Sequence, residues 1–162
     1  MFPHRHDIDH PANPLSDSQA MAQVIEPAKQ IIKVAGLADP TGGFYMASCN
    51  DQGDPPYQGV VEMSFKWPLD DSKGYPAEVD ANTYFNQLAA TMVAHGWSDG
   101  PPPGLHPYGR VINKDGVMAI MTQNPASGRG SLKLYGECRD MTDHDGDRMA
   151  TGFDITDQLR AG

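Results

Sequence analysis

The sequence predicts an α+β fold, a single-domain antiparallel β-sheet of about five strands with two helices packed on one face, in the order α-β-β-α-β-β-β. Three observations support this. Two stretches repeat apolar residues at helical spacing, and five others alternate or run apolar as strands do. Nearly all connections between the strand-like runs are short enough to be hairpins, whereas a parallel α/β sheet needs more crossover helices than two. At 162 residues the chain suits one domain with a real core.

Residues 1–15 mix His, Pro, Asp and Asn with little to bury and read as a flexible arm, leaving 16–162 as the domain. Ser16 and Gln19 form a capping-box signature. Behind them Met21, Val24, Ile25, Ala28, Ile31, Ile32 and Ala35 make one helical stripe, stopped by Gly36. Pro27 interrupts this helix, predicting either a kink there or a short first turn that restarts at Pro27. Phe44 to Cys49 and Val60 to Trp67 are the first two strands, and the second alternates cleanly, with Val61, Met63, Phe65 and Trp67 on one side. Pro68 to Val79 reads as a loop.

The second helix starts at the N-cap Asp80 and buries Tyr84, Phe85, Leu88, Ala89, Met92 and Val93. Gly96 and Trp97 close it in a Schellman ending, with Trp97 folding back on Met92. The stiff run Pro101-Pro102-Pro103 follows. A hairpin then joins Tyr108–Asn113 to Val117–Gln123 through Lys114-Asp115-Gly116. Ser131 to Arg139 is the last strand. Beyond Asp140 the chain turns acidic, with a short Phe153, Ile155, Leu159 pattern that would dock back.

The chain has two cysteines, Cys49 and Cys138. Two buried thiols are the bland reading. The phase of Cys138 with Leu132 and Leu134 favours a disulfide tying the first strand to the last. In the chain-entropy model, closing a loop of about 90 residues stabilises by about 4.6 kcal/mol before strain is subtracted.

A net charge of −9 repels phosphate backbones, so nucleic acid is not an expected partner. No apolar run approaches a membrane span, and the first fifteen residues hold no signal-peptide core, so the chain as given is expected to be soluble. Two clusters carry metal-ligand types: His4, His6, Asp7, Asp9 and His10, and Asp143, His144, Asp145 and Asp147. Both fall in expected flexible tails without finger spacing, so no metal site is assigned. No Gly-x-Ser-x-Gly and no phosphate-cradling glycine loop is present, and no cofactor or catalytic residue is expected. His95 and His106 are the histidines an enzyme would use.

Two proline-bearing loops stand out, Asp54-Pro55-Pro56-Tyr57 and Trp97 to Pro103. Each sets an aromatic beside rigid backbone and an acid, which suits recognition because little entropy is lost on binding. Asp54, Tyr57, Trp97, Asp99 and Pro102 are therefore the candidate partner-binding residues. The alternative is that the prolines stiffen turns while both aromatics pack inward.

Four stretches carry a resemblance: QAMAQVIEPAKQI from Gln19, SCNDQGDPPYQG from Ser48, HGWSDGPPPG from His95 and GECRDMTDH from Gly136. In these the chain resembles the mycobacterial lipoproteins of the LppJ type, relatives of the LppA group. The resemblance implies location: such proteins are lipid-anchored outside the cytoplasmic membrane, in the cell envelope, where oxidation would sustain a disulfide. Met1 leads straight into the His-rich arm with no lipobox, so membrane attachment is expected only through an N-terminal lipid anchor of the precursor. The functional expectation is a non-catalytic envelope domain, unknown in function, that binds a protein, glycan or lipid. The runner-up is an enzyme of unrecognised type near the proline loops, and a third reading is a structural or accessory role.

Overall fold

The fold is described from a computed structural model, covering residues 11–50, 52–72 and 74–161. The class holds: helices lie against a mostly antiparallel sheet. The counts differ. Thirteen elements occur among the described residues: α1 (Asp17–Ala35), β1 (Ala38–Ser48), β2 (Tyr57–Lys66), β3 (Leu69–Asp70), β4 (Ala77–Glu78), α2 (Ala81–Val93), β5 (Ser98–Asp99), β6 (Arg110–Lys114), β7 (Val117–Gln123), β8 (Gly130–Tyr135), α3 (Arg148–Thr151), β9 (Phe153–Asp154) and α4 (Thr156–Arg160). Seven strands form the main sheet in the order β5-β6-β7-β8-β2-β1-β9, and β3 pairs with β4 in a separate ribbon. The five expected strands become seven because the two-residue strands β5 and β9 pair at its edges. Such short elements have no periodicity of their own and form only where a neighbour offers its backbone.

α1 forms as its caps require. Ser16 Oγ accepts the Gln19 amide at 3.2 Å while Gln19 Oε1 accepts the Ser16 amide at 2.9 Å. Gly36 ends the helix in the left-handed region, φ 67°. The helix runs unbroken through Pro27, so the restart reading is set aside. α2 is capped by Asp80, whose carboxylate accepts the Thr83 amide, and the Trp97 amide closes on the Met92 carbonyl at 3.1 Å.

One face of the sheet forms the core. The cross-strand row Ile112, Ala119, Leu134, Val61 and Phe44 is buried from β6 to β1, and α1 and α2 cover it with Val24, Ala28, Ile31, Phe85, Leu88 and Met92. Gly59 lets α1 come close, since a Cβ there would lie 2.8 Å from the Ala20 carbonyl oxygen. Gly130 sits opposite Phe65, and a Cβ there would fall 2.2 Å from the Phe65 ring.

The acidic C-terminal stretch is not a tail. Ile155 and Leu159 are buried in the same core, and β9 pairs with Gly43 and Phe44. At the other end, residues 1–10 of the expected arm lie outside the described residues. Leu15, placed in the arm by sequence, donates its amide to the Arg139 carbonyl, and Asn13 accepts from the Arg139 guanidinium.

Cys49 and Cys138 are joined, with Cα atoms 6.1 Å apart. Strand pairing in β8 stops at Tyr135, so the alternation that motivated the bridge does not reach Cys138. The two cysteines instead meet just beyond the start of β2, which lies between β1 and β8.

Two measurements test this packing. The denatured, unreduced protein is expected to titrate no free thiol, and two thiols per chain would refute the bridge. Gly130→Ala is expected to cost about 1–3 kcal/mol in urea denaturation, with part recovered by Phe65→Leu; unchanged stability would show that the ring has room to move.

Candidate functional site

The outward face of the sheet is only partly covered. Along it run Tyr45, Val60, Tyr135 and Met118, paired in register across β1, β2, β8 and β7. The proline-rich loop of residues 100–109 approaches this face and leaves a groove of about 620 Å³, a volume suited to ligand binding. Pro102 and Leu105 line it from the loop, Met118 and Tyr135 from the strands, and Gln58, Cys138 and Arg139 from the end tied by the disulfide.

The five candidate binding residues fare differently. Pro102 lines the groove, and Asp54 and Asp99 are exposed. Asp99 pairs with Arg110, whose hydrogen bond holds its carboxyl below the usual range. Tyr57 and Trp97 are buried, at 2% and 3% exposure, so neither ring can be presented to a partner as it stands. Tyr57 donates its hydroxyl to the Gly53 carbonyl, and Trp97 directs Nε1 to Gln30 of α1 at 3.4 Å. Trp97 belongs to the Schellman closure of α2, and the same backbone turn that ends the helix carries its side chain inward.

The exposed apolar groups of the loop are instead Leu105 and Tyr108, the latter 96% exposed. Sequence reasoning assigned Tyr108 to a strand and passed over Leu105. The available signal was an apolar residue between prolines with no periodic partner. His95 contacts the Thr91 carbonyl at the end of α2, and His106 is exposed in the loop.

A second constellation lies behind the disulfide. His144, expected in a flexible tail, is 1% exposed. Its Nδ1 lies 2.8 Å from Asp147, and its Nε2 lies 3.0 Å from Asp17 and 3.2 Å from Asp140. Tyr57 packs edge-on against the imidazole, with ring centroids 5.1 Å apart. Asp143 and Asp145, the other members of the sequence cluster, are exposed and stay out of this contact. Asp17 could not be found from sequence because only the fold brings residue 17 to residue 144, whereas Asp140, four residues before His144, was overlooked beside the Asp143–Asp147 cluster. The cluster at His4, His6, Asp7, Asp9 and His10 lies outside the described residues. The donor atoms of Asp17, Asp140 and His144 all lie within 4.8 Å of one another, close enough for one cation to touch all three.

Asp17 and Asp140 titrate as a pair beside the imidazole. Burial pushes the imidazole pKa down, but hydrogen bonds to Asp147 and Asp140 and the charge of Asp17 outweigh it, and the net shift is upward. Burial raises Asp140, helped by its hydrogen bond to Asp17, and that same bond lowers Asp17. The Ala150 amide lowers Asp147. Asp17 and Asp147 therefore stabilise the fold above the ordinary carboxylate value and lose that contribution as pH falls through their lowered values. His144 contributes fully below about 6.5 and loses its contribution as pH rises through its raised value. Asp140 opposes ionisation in the folded state and adds to the same loss as its raised value is passed.

In EDTA buffer the urea midpoint is expected to fall as pH is raised from about 6 through the His144 titration, and His144→Gln is expected to flatten that slope. A slope unchanged in the variant would place the pH dependence elsewhere.

A family model described as "Putative lipoprotein LppJ" matches residues 16–158. Proteins bearing that same name in Mycobacterium tuberculosis strain H37Rv and Mycobacterium bovis strain AF2122/97 are each 47% identical over 151 residues. The match covers 93% of this chain and 74% of each relative. No solved structure matches the chain. Among the described residues, no helix is long and apolar enough to cross a membrane.

Proposed function

The chain belongs to the LppJ family, and from that premise we propose that it is a non-catalytic binding domain of the cell envelope, tethered by an N-terminal lipid, that recognises a partner protein. The lipoprotein name of its relatives supports the location, and the Cys49–Cys138 bridge suits an oxidising compartment. The observation that carries the binding role is the groove beside the proline loop, with Leu105 and Tyr108 exposed on that loop.

The lining favours an apolar peptide side chain over the other envelope ligands. Arg139 already bonds Glu137 at 2.8 Å and the Asn13 carbonyl at 2.6 Å, which leaves it poorly placed for a lipid phosphate. Tyr135 has the Lys133 ammonium over its ring at 5.2 Å, so that face is not free to stack on a sugar. Pro102 and Leu105 on the stiff loop and Met118 on β7 offer apolar contact, and a stiff loop loses little ordering entropy on binding.

The test is photocrosslinking from position 108 in envelope extracts, comparing the parent protein with Leu105→Asp. Both side chains are exposed, so the variants are expected to melt normally. A protein crosslinked by the parent is expected to lose about 2 kcal/mol or more of affinity for Leu105→Asp, the range of an interface hot spot. Undiminished affinity, or occupancy of the groove only by lipid or saccharide, would overturn the protein-partner reading.

A further inference from the structure

We infer that Asp17, Asp140 and His144 form a binding site for a divalent transition cation of the Zn²⁺ type, with Asp147 orienting the histidine. The site is separate from the groove and does not depend on the binding role proposed for it.

The donor set is mixed, and its geometry is prepared. His144 Nε2 stands 3.0 Å from Asp17 Oδ1 and 3.2 Å from Asp140 Oδ2. A Zn²⁺ ion bonds such atoms at about 2.0–2.2 Å, which sets neighbouring ligand atoms about 3.0–3.6 Å apart. The three side chains therefore need little movement to close on one ion. His144 and Asp140 are also fixed from behind. Nδ1 of His144 is held by Asp147 Oδ2 at 2.8 Å, and Asp147 Oδ1 in turn accepts the Ala150 amide at 2.9 Å. A carboxylate on the far nitrogen is the usual partner of a metal-binding histidine, because it sets the tautomer and aims the other nitrogen. Asp140 Oδ1 accepts the Thr142 amide at 2.9 Å, leaving Oδ2 on the side of the cluster.

Charge points the same way. Three carboxylates surround one imidazole, and among the described residues no Lys or Arg pairs with any of them. Asp140 is 0% exposed, and buried carboxylates without a cation are costly. Protons can supply the neutralisation. A divalent ion does so more fully, displacing to solvent the proton on Nε2 and any proton held between the two carboxylates. The Asp17 side chain keeps 42% of its surface exposed, so the ion has access and water can complete its shell. One imidazole among carboxylates selects Zn²⁺ over Mg²⁺ and Ca²⁺, which prefer oxygen throughout. Bound there, the ion would join the start of α1 to the segment that follows the disulfide.

Calorimetric titration of the full chain with ZnCl₂ tests this, after EDTA treatment and dialysis. All samples carry His4, His6 and His10 as alanine, so that the imidazoles of the arm do not bind. One Zn²⁺ per chain is expected, with no response to Mg²⁺ at the same concentration. Asp17→Asn is expected to weaken binding at least tenfold, and Asp147→Asn, which keeps all three ligands, ten- to hundredfold. Melting curves check that each variant folds, and Asp147→Asn decides the matter if Asp17→Asn does not. No heat with Zn²⁺, equal response to Mg²⁺, or binding that neither substitution weakens would overturn the site.

Discussion

Three distant segments are tied together where β2 begins, and the arrangement of the molecule depends on that knot. Cys49 at the end of β1 is bonded to Cys138 beyond β8, 89 residues later. Immediately outside the bridge, Tyr57 exchanges backbone hydrogen bonds with Asp140, and Leu15 donates to Arg139. His144 then joins Asp140 to Asp17, the first residue of α1. The covalent bond shortens the loops the unfolded chain can explore, while the polar contacts fix the direction in which each segment leaves. Neither alone would hold the start of α1, the end of β8 and the residues before α3 in one place.

This closure also shapes the surface. The inner face of the sheet is filled by α1 and α2, and the outer face is left half covered. What makes a groove of it is a wall at each side. Pro102 and Leu105 form one wall on a loop stiffened by proline, and Cys138 and Arg139 form the other, held by the bridge. Rigid walls around an apolar floor are what recognition at low entropic cost requires. The buried cluster behind Tyr57 lies outside that groove but supports the same wall.

Much of the fold was legible because its signals are local. Ser16 and Gln19 cap α1 as their spacing implies, Asp80 and Gly96 bound α2, and the alternation from Val61 to Phe65 states which face of β2 is buried. What was missed depends on contacts between residues far apart. The Phe153, Ile155, Leu159 pattern marks a segment that docks back, but its pairing as β9 and α4 is set only by neighbours across the core, and the acidic stretch before it reads as a tail. The proline loops were legible as rigid features, and of the two readings of their aromatics the inward-packing one holds for Tyr57 and Trp97. The helix ending turns Trp97 inward, as the Gly96-Trp97 signal implies, and Leu105 and Tyr108 are the displayed groups. The His144 cluster was half visible: Asp147 lies three residues away, whereas Asp17 comes from the other end of the chain.

The bridge and the His144 contacts act as one local closure supporting a wall of the groove. Hydrogen exchange read by mass spectrometry, on the oxidised protein and on protein with the disulfide reduced, tests this most directly. Reduction is expected to speed exchange at residues 13–17, 49–57 and 136–147, while amides of β6 and β7 in the core rows keep their protection. Protection lost evenly through the sheet, or unchanged everywhere, would contradict it.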